Sequence, residues 1–289
     1  MVYLSNFIVF FCFVLSCAVP VLAGEADQAD LPIPVFVSIA PQAYFVRQIG
    51  GDRVRVEVLV RPGASPATYA PTPKQLARLA KAKLFFRIGV PFESALVKRI
   101  WSAMPGVRVV DTSEAVKRLT EDHGHGGELD PHTWMDPMLV KEEGKVIVTA
   151  LSEVDPAGRK IYEQNYLNFA AQLNALDKKI RAILRPFKGR IVLAYHPAYG
   201  YFCRAYGLFQ EAIESGGKAP GAQHLARLIA AAKQKKIRAI LVQPQFSKKK
   251  ASLIAQAIGA ESIVADPLAA NYMENLEKLA GELARVFNK

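Results

Sequence analysis

The stretch IYEQNYLNFAAQLNALDKKIRAIL, residues 161–184, decides how the rest of the chain is read. Apolar or aromatic side chains recur three and four positions apart along it, the spacing that puts them on one face of an α-helix. At about 3.6 residues per turn the run makes more than six turns, which is long for a helix in a globular protein. Asp155-Pro156 offers a start for it, and Pro186 and Gly189 close it. On both sides of this stretch, short apolar runs alternate with helical patterns. One long helix between two alternating halves predicts two α/β lobes joined by a backbone helix.

Upstream, PVFVSI (34–39), VRVEVLV (54–60), LFFRIGV (84–90) and VRVVDTS (107–113) read as strands. PQAYFVRQIGG (41–51), KQLARLAKAK (74–83) and PFESALVKRIWSAM (91–104) read as the helices between them. Pro137 suits the first turn of a further helix with Asp136 as its N-cap, running to about Val154. Downstream the plan repeats: strands RIVLAYHP (190–197) and GLFQEAIE (207–214), helix GAQHLARLIAAAKQKK (221–236), strand IRAILVQP (237–244), helix SKKKASLIAQAIG (247–259), strand AESIVAD (260–266), and a last helix from Asn271. Such alternation implies parallel sheets covered on both faces. The expected boundaries are a lobe at 24–155, a linking helix at 156–186 and a second lobe at 187–289.

Residues 1–23, MVYLSNFIVFFCFVLSCAVPVLA, carry no charged side chain and end in small residues. They read as a signal peptide cut after Ala23, which places the mature protein outside the cytoplasm. A lipobox-like reading of Val14-Leu15-Ser16-Cys17, with Cys17 lipidated, is the competing one. Cys12 and Cys17 belong to this leader, so Cys203 stands alone and an internal disulfide is excluded. The formal net charge is +11, but export argues against nucleic acid as the partner. The basic runs KQKK (233–236) and SKKK (247–250) lie at helix ends and read as solvated faces.

Three of the five histidines fall in EDHGHGGELDPHTWMDP, residues 121–137. In open α/β sheets, ligands bind beyond the carboxyl ends of the strands. His196 directly follows one strand, Asp266 follows another, and His132 lies in the loop after the strand that ends near Asp111. If the lobes face each other, these three donors converge between them. Two imidazoles and a carboxylate suit Zn²⁺ better than Mg²⁺ or Ca²⁺, with Mn²⁺ the second choice. Taken singly, each has an ordinary structural reading: a hydrogen-bonded histidine, or, for Asp266 before Pro267, a turn cap. Gln243 and Gln245 lie past another strand end and read as hydrogen-bonding support, not as ligands. His224 reads as a first-turn helix residue.

Four stretches carry a family resemblance: PGASPATYAPTP (62–73), LDPHTWMDP (129–137), YHPAYGYFCRAYGL (195–208) and ADPLAANYMENLEKLA (265–280). Together they resemble the zinc/manganese solute-binding proteins of ABC importers over nearly the whole mature length. The resemblance implies two lobes, each a four-stranded, mainly parallel sheet flanked by helices, bridged by one rigid helix. It implies a monomeric, non-enzymatic protein that holds metal between the lobes in the periplasm and passes it to a membrane permease. By motif position, His132, His196 and Asp266 are the implied ligands, and a His at the position of His196 resembles the zinc branch. DHGHGG resembles a shortened form of the family's metal-rich loop, with His123 and His125 as an auxiliary collecting arm.

One position departs from the pattern. Where the family has Pro-His-x-Tyr, this chain has Pro66-Ala67-Thr68-Tyr69, and alanine cannot ligate. Three outcomes follow: water at the vacant coordination position, replacement by His123 or His125, or altered cargo. The last includes manganese, a chelated metal or an adhesin-like role. A zinc hydrolase with Glu128 as its base is the enzymatic alternative, since three protein ligands plus water is also a catalytic pattern.

Overall fold

The computed structural model describes residues 31–120, 129–214 and 220–289. The leader, with Cys12, Cys17 and the expected cut after Ala23, lies outside them, as do His123, His125 and Glu128.

The first half forms a sheet of β1 (Ile33–Val37), β2 (Val54–Val58), β3 (Leu84–Arg87) and β4 (Arg108–Asp111) in the order β2-β1-β3-β4. The second half repeats it with β5 (Ile191–Ala194), β6 (Phe209–Ala212), β7 (Ala239–Val242) and β8 (Glu261–Val264) in the order β6-β5-β7-β8. Every pairing in both sheets is parallel. Parallel neighbours need crossovers, and helices α1 (Ala40–Gly50), α2 (Pro73–Leu79) and α3 (Glu93–Ala103) supply them in the first lobe. In the second lobe, α6 (Gly200–Ala205), α7 (Ala222–Gln234) and α8 (Lys248–Ile258) do so. The sequence pattern runs straight from the strand at 190–197 to that at 207–214. The six-residue α6 between them is too short for its periodicity to be seen, yet the parallel β5–β6 pairing requires a crossover there.

Between the lobes, α4 (Pro137–Val154) and α5 (Arg159–Leu184) run with few interruptions, and α9 (Tyr272–Phe287) closes the chain. Asp136 caps α4 by accepting from Met138 N at 2.8 Å. Asp155 caps the turn before α5, accepting from Gly158 N, Arg53 and the Tyr162 hydroxyl. The 26-residue α5 buries Tyr162, Phe169, Leu173, Leu176, Ile180 and Leu184, one stripe along its length. It lies against α1 and α4 of the first lobe and α9 of the second. At that junction the rings of Phe45 and Tyr272 meet edge to face with centroids 4.8 Å apart, and Phe169 stands 6.0 Å from Phe45. One apolar cluster therefore continues from the first sheet through α5 into the second lobe.

Beneath the 3-10 turn Thr133–Met135, the Glu143 side chain is fully buried and accepts from the Thr133 hydroxyl at 2.6 Å, while its other oxygen has no partner among the described residues. Burial pushes its carboxyl up to about 8.

Truncating Phe169 to alanine removes a ring from the junction of both lobes. It should cost about 3–5 kcal/mol in denaturant unfolding. Because the core is shared, far-UV circular dichroism and near-UV signals from both lobes should still report one transition. Glu143→Gln tests the buried carboxyl. The folded-state value lies above the unfolded one, so below about 4.5 both states are protonated and no penalty exists. As pH rises toward 8 only the unfolded state ionises, and the wild type loses stability relative to the glutamine variant. The variant's advantage in melting temperature should be larger at pH 8 than at pH 5.

Candidate functional site

The strand order reverses between β1 and β3 in one sheet and between β5 and β7 in the other, and the carboxyl ends of both sheets contribute to a single cleft. This cleft has a volume of about 430 Å³. The loop after β2 brings Ser65, Pro66 and Ala67 to its wall, and the turn after β3 brings Gly89, Val90 and Pro91. From the second lobe come His196 after β5 and Gln243, Gln245 and Phe246 after β7.

His132 and His196 meet across it, their ring centroids 5.2 Å apart and their planes inclined by 71°. They come from opposite lobes, as strand-end reasoning expects. Each imidazole is oriented by a buried carboxylate. Asp130 Oδ1 lies 2.6 Å from His132 Nδ1 and also accepts from the His132 backbone N–H at 2.9 Å. Glu214 Oε1 contacts His196 Nδ1. With Nδ1 held by a carboxylate, the proton sits there and Nε2 keeps its lone pair for a ligand. The rings are further fixed by neighbours. Trp134 stands 5.1 Å from His132, and Phe246 stacks on His196 at 5.9 Å. Gln243, almost fully buried, accepts from the His196 backbone N–H and donates to its carbonyl at 2.7 Å. The supporting role expected of Gln243 is thus visible, while Gln245 only lines the cleft.

Sequence reasoning missed both carboxylates. Asp130 reads as turn chemistry before Pro131. Glu214 sits two residues past β6, where Ile213 N and Glu214 N continue the pairing onto Ala194 O and Tyr195 O. The strand-end criterion that selected His196 and Asp266 selects Glu214 too, once applied to every strand.

Asp266 is placed differently from the two imidazoles. It follows β8, half-buried, and its Oδ1 accepts from Leu268 N at 3.0 Å, the turn-capping arrangement. Its neighbours Pro267 and Leu268 line the cleft and Asp266 itself does not. Among the described residues, no group of three or more His, Cys, Asp or Glu side chains is close enough to hold a metal ion. The residues present fit a metal through two imidazole nitrogens with open positions, not a closed four-ligand cage. His224 lies in the first turn of α7, exposed and away from the cleft lining.

Three hydrogen bonds hold the cleft's edges together across the lobes. Trp134 Nε1 donates to Pro267 O at 2.7 Å. The Tyr201 hydroxyl accepts from Leu119 N at 2.8 Å and donates to Asp130 O at 2.9 Å. Thr120 and Leu129 form an antiparallel bridge beside this point, flanking the segment that carries His123 and His125.

The other notable side chain is Arg118. It lines the cleft, and its Nη2 donates to Ile88 O at 2.9 Å, to Ser113 Oγ and to Asp111 at 3.4 Å. Its guanidinium packs closely against Gly89. That glycine has a positive φ of 95°, and a Cβ there would collide with both Nη atoms.

Comparison with known proteins matches this fold. The profile of the zinc-uptake complex component A family, periplasmic (ZnuA), covers residues 35–286. The high-affinity zinc uptake system protein ZnuA of Bacillus subtilis is 29% identical over 291 aligned residues, covering 95% of this chain and 91% of that protein. A putative metal-binding protein of Chlamydia trachomatis is 27% identical, covering 95% of this chain and 99% of its own. A crystal structure of ZnuA superposes with a TM-score of 0.84 at 38% identity, over 88% of this chain and 99% of that one. The chain belongs to the ZnuA family, the metal-binding solute-binding proteins of ABC importers.

Proposed function

We propose that the protein captures a zinc ion in the periplasm between His132 and His196 and delivers it to the membrane permease of an ABC importer. The observation that carries this reading is the pair of imidazoles from opposite lobes, each with Nδ1 held by its own buried carboxylate. That arrangement fixes the tautomer, leaves Nε2 free for the metal and sets two carboxylates, Asp130 and Glu214, behind a dication. Two imidazole nitrogens on the cleft wall favour Zn²⁺ over Mn²⁺. The protein acts as a single chain and binds no nucleic acid. Its family transports solutes and is not enzymatic, so the open coordination positions serve capture and release, not hydrolysis.

Asp266 is the third donor of this proposal. Leu268 N occupies its Oδ1, so the oxygen offered to the metal is Oδ2. His123 and His125 act as an auxiliary arm, joined to the cleft at Leu129. Export follows the leader at 1–23, in preference to lipidation at Cys17.

Titrating the metal-stripped mature protein with zinc against a chromophoric chelator should give one tight site. His132→Ala and His196→Ala should each weaken it at least a hundredfold. Glu214→Gln should weaken it about 10–100-fold, because it loosens the ring without removing the ligand. Asp266→Ala should have a smaller effect than either histidine variant. Imidazole ligates only when neutral, so zinc should be held less tightly at pH 5 than at pH 7.5. Equal affinity at both, or wild-type affinity in both histidine variants, contradicts the assignment.

A further inference from the structure

The cleft holds more than a bare ion requires. Its volume of about 430 Å³ exceeds ten times the roughly 30 Å³ that one water occupies, and lies in the range of small-molecule sites. Ala67 leaves one wall without a donor. Among the described lining residues there is no carboxylate, and there is one cation, Arg118. The remaining polar groups are the hydroxyls of Ser65 and Ser94 and the amides of Gln243 and Gln245.

Arg118 is an unusual neighbour for a cation site. A guanidinium on the wall repels a metal dication unless an anion lies between them. Asp111 offsets part of its charge, at 3.4 Å, but Asp111 is shared with Arg87, also at 3.4 Å. The absence of a side chain at Gly89 is what lets the guanidinium reach this wall at all. A planar fork of donors is the side chain best matched to a carboxylate or phosphate.

Resting on the zinc reading above, we propose that the cargo is a metal ion carrying a small oxyanion, which fills the coordination position that Ala67 leaves open and pairs with Arg118. The oxyanion donates an oxygen lone pair to the metal in place of water, and its remaining oxygens face the guanidinium and the serine hydroxyls. His132 and His196 then supply the protein's nitrogens, and the ligand supplies what the missing histidine does not. No bond of the oxyanion breaks.

Equilibrium dialysis of zinc-loaded protein in a sulfonate buffer tests this, with ¹⁴C-citrate in one arm and ³²P-phosphate in the other. The expected result is close to one equivalent of label on zinc-loaded protein and none on metal-free protein. Citrate alone identifies an organic carboxylate, phosphate alone an inorganic anion, and retention of both a general oxyanion position. Arg118→Gln should weaken retention at least tenfold, with Arg118→Lys intermediate, while zinc stays bound. Ala67→His, at an exposed position, should keep zinc and lose the label. If zinc binds tightly and neither oxyanion is retained, the inference fails and the zinc reading stands. Equal retention without metal, or by Arg118→Gln, also overturns it. If zinc does not bind in either arm, the zinc reading itself has failed and this one with it.

Discussion

The packing of Phe45, Phe169 and Tyr272 is the constraint on which the site depends. Each ring comes from a different element: the first lobe's α1, the bridging α5 and the second lobe's α9. Their contact makes the two lobes share one core, so the lobes cannot open as separate bodies without exposing buried aromatic surface. An edge-to-face pair adds about 0.5–1.5 kcal/mol beyond area burial. The apolar stripe that α5 buries along its whole length stabilises the junction more than any one ring pair does. Against such a frame, His132 and His196 are held at a fixed separation before any ligand arrives. The bonds from Trp134 to Pro267 and from Tyr201 to Asp130 repeat the same restriction at the cleft's edge.

Preorganisation also shapes the electrostatics. Asp130 and Glu214 are nearly buried, and burying an ionised carboxylate costs several kcal/mol unless it is paired. Each is paired with an imidazole N–H, which offsets part of that cost, and a dication beyond the ring offsets more. On the proposed assignment, the ion relieves a charge arrangement that the fold maintains without it. Arg118 lines the same cleft and opposes this. A cleft with two carboxylates behind the histidines and one guanidinium on its wall is suited to a metal that brings its own negative charge.

Much of the architecture is legible in the sequence because it rests on local periodicity. The stripe from Tyr162 to Leu184 shows a helix long enough to join two lobes, and Asp136 and Asp155 mark the helix starts where they do cap. Strand-end position singles out His132, His196 and Asp266 together, and of these the two imidazoles meet. Other features have no local signature. The short α6 is dictated by the parallel pairing of β5 with β6, a long-range fact. Asp130 and Glu214 are recognisable only once each ring nitrogen is seen to need a partner. Asp266 satisfies the same strand-end rule, yet its Oδ1 caps the turn at Leu268, and its neighbours Pro267 and Leu268 line the cleft in its place. Arg118 reaches the wall because Gly89, 29 positions earlier, has no side chain.

The central claim is that imidazoles from both lobes bind the same ion. Zinc K-edge X-ray absorption of the loaded protein measures this directly. The account predicts two imidazole nitrogens at about 2.0–2.1 Å, with the outer-shell scattering of two rings, falling to one ring in His196→Ala. A first shell of oxygen alone, or a spectrum unchanged by that substitution, would contradict it.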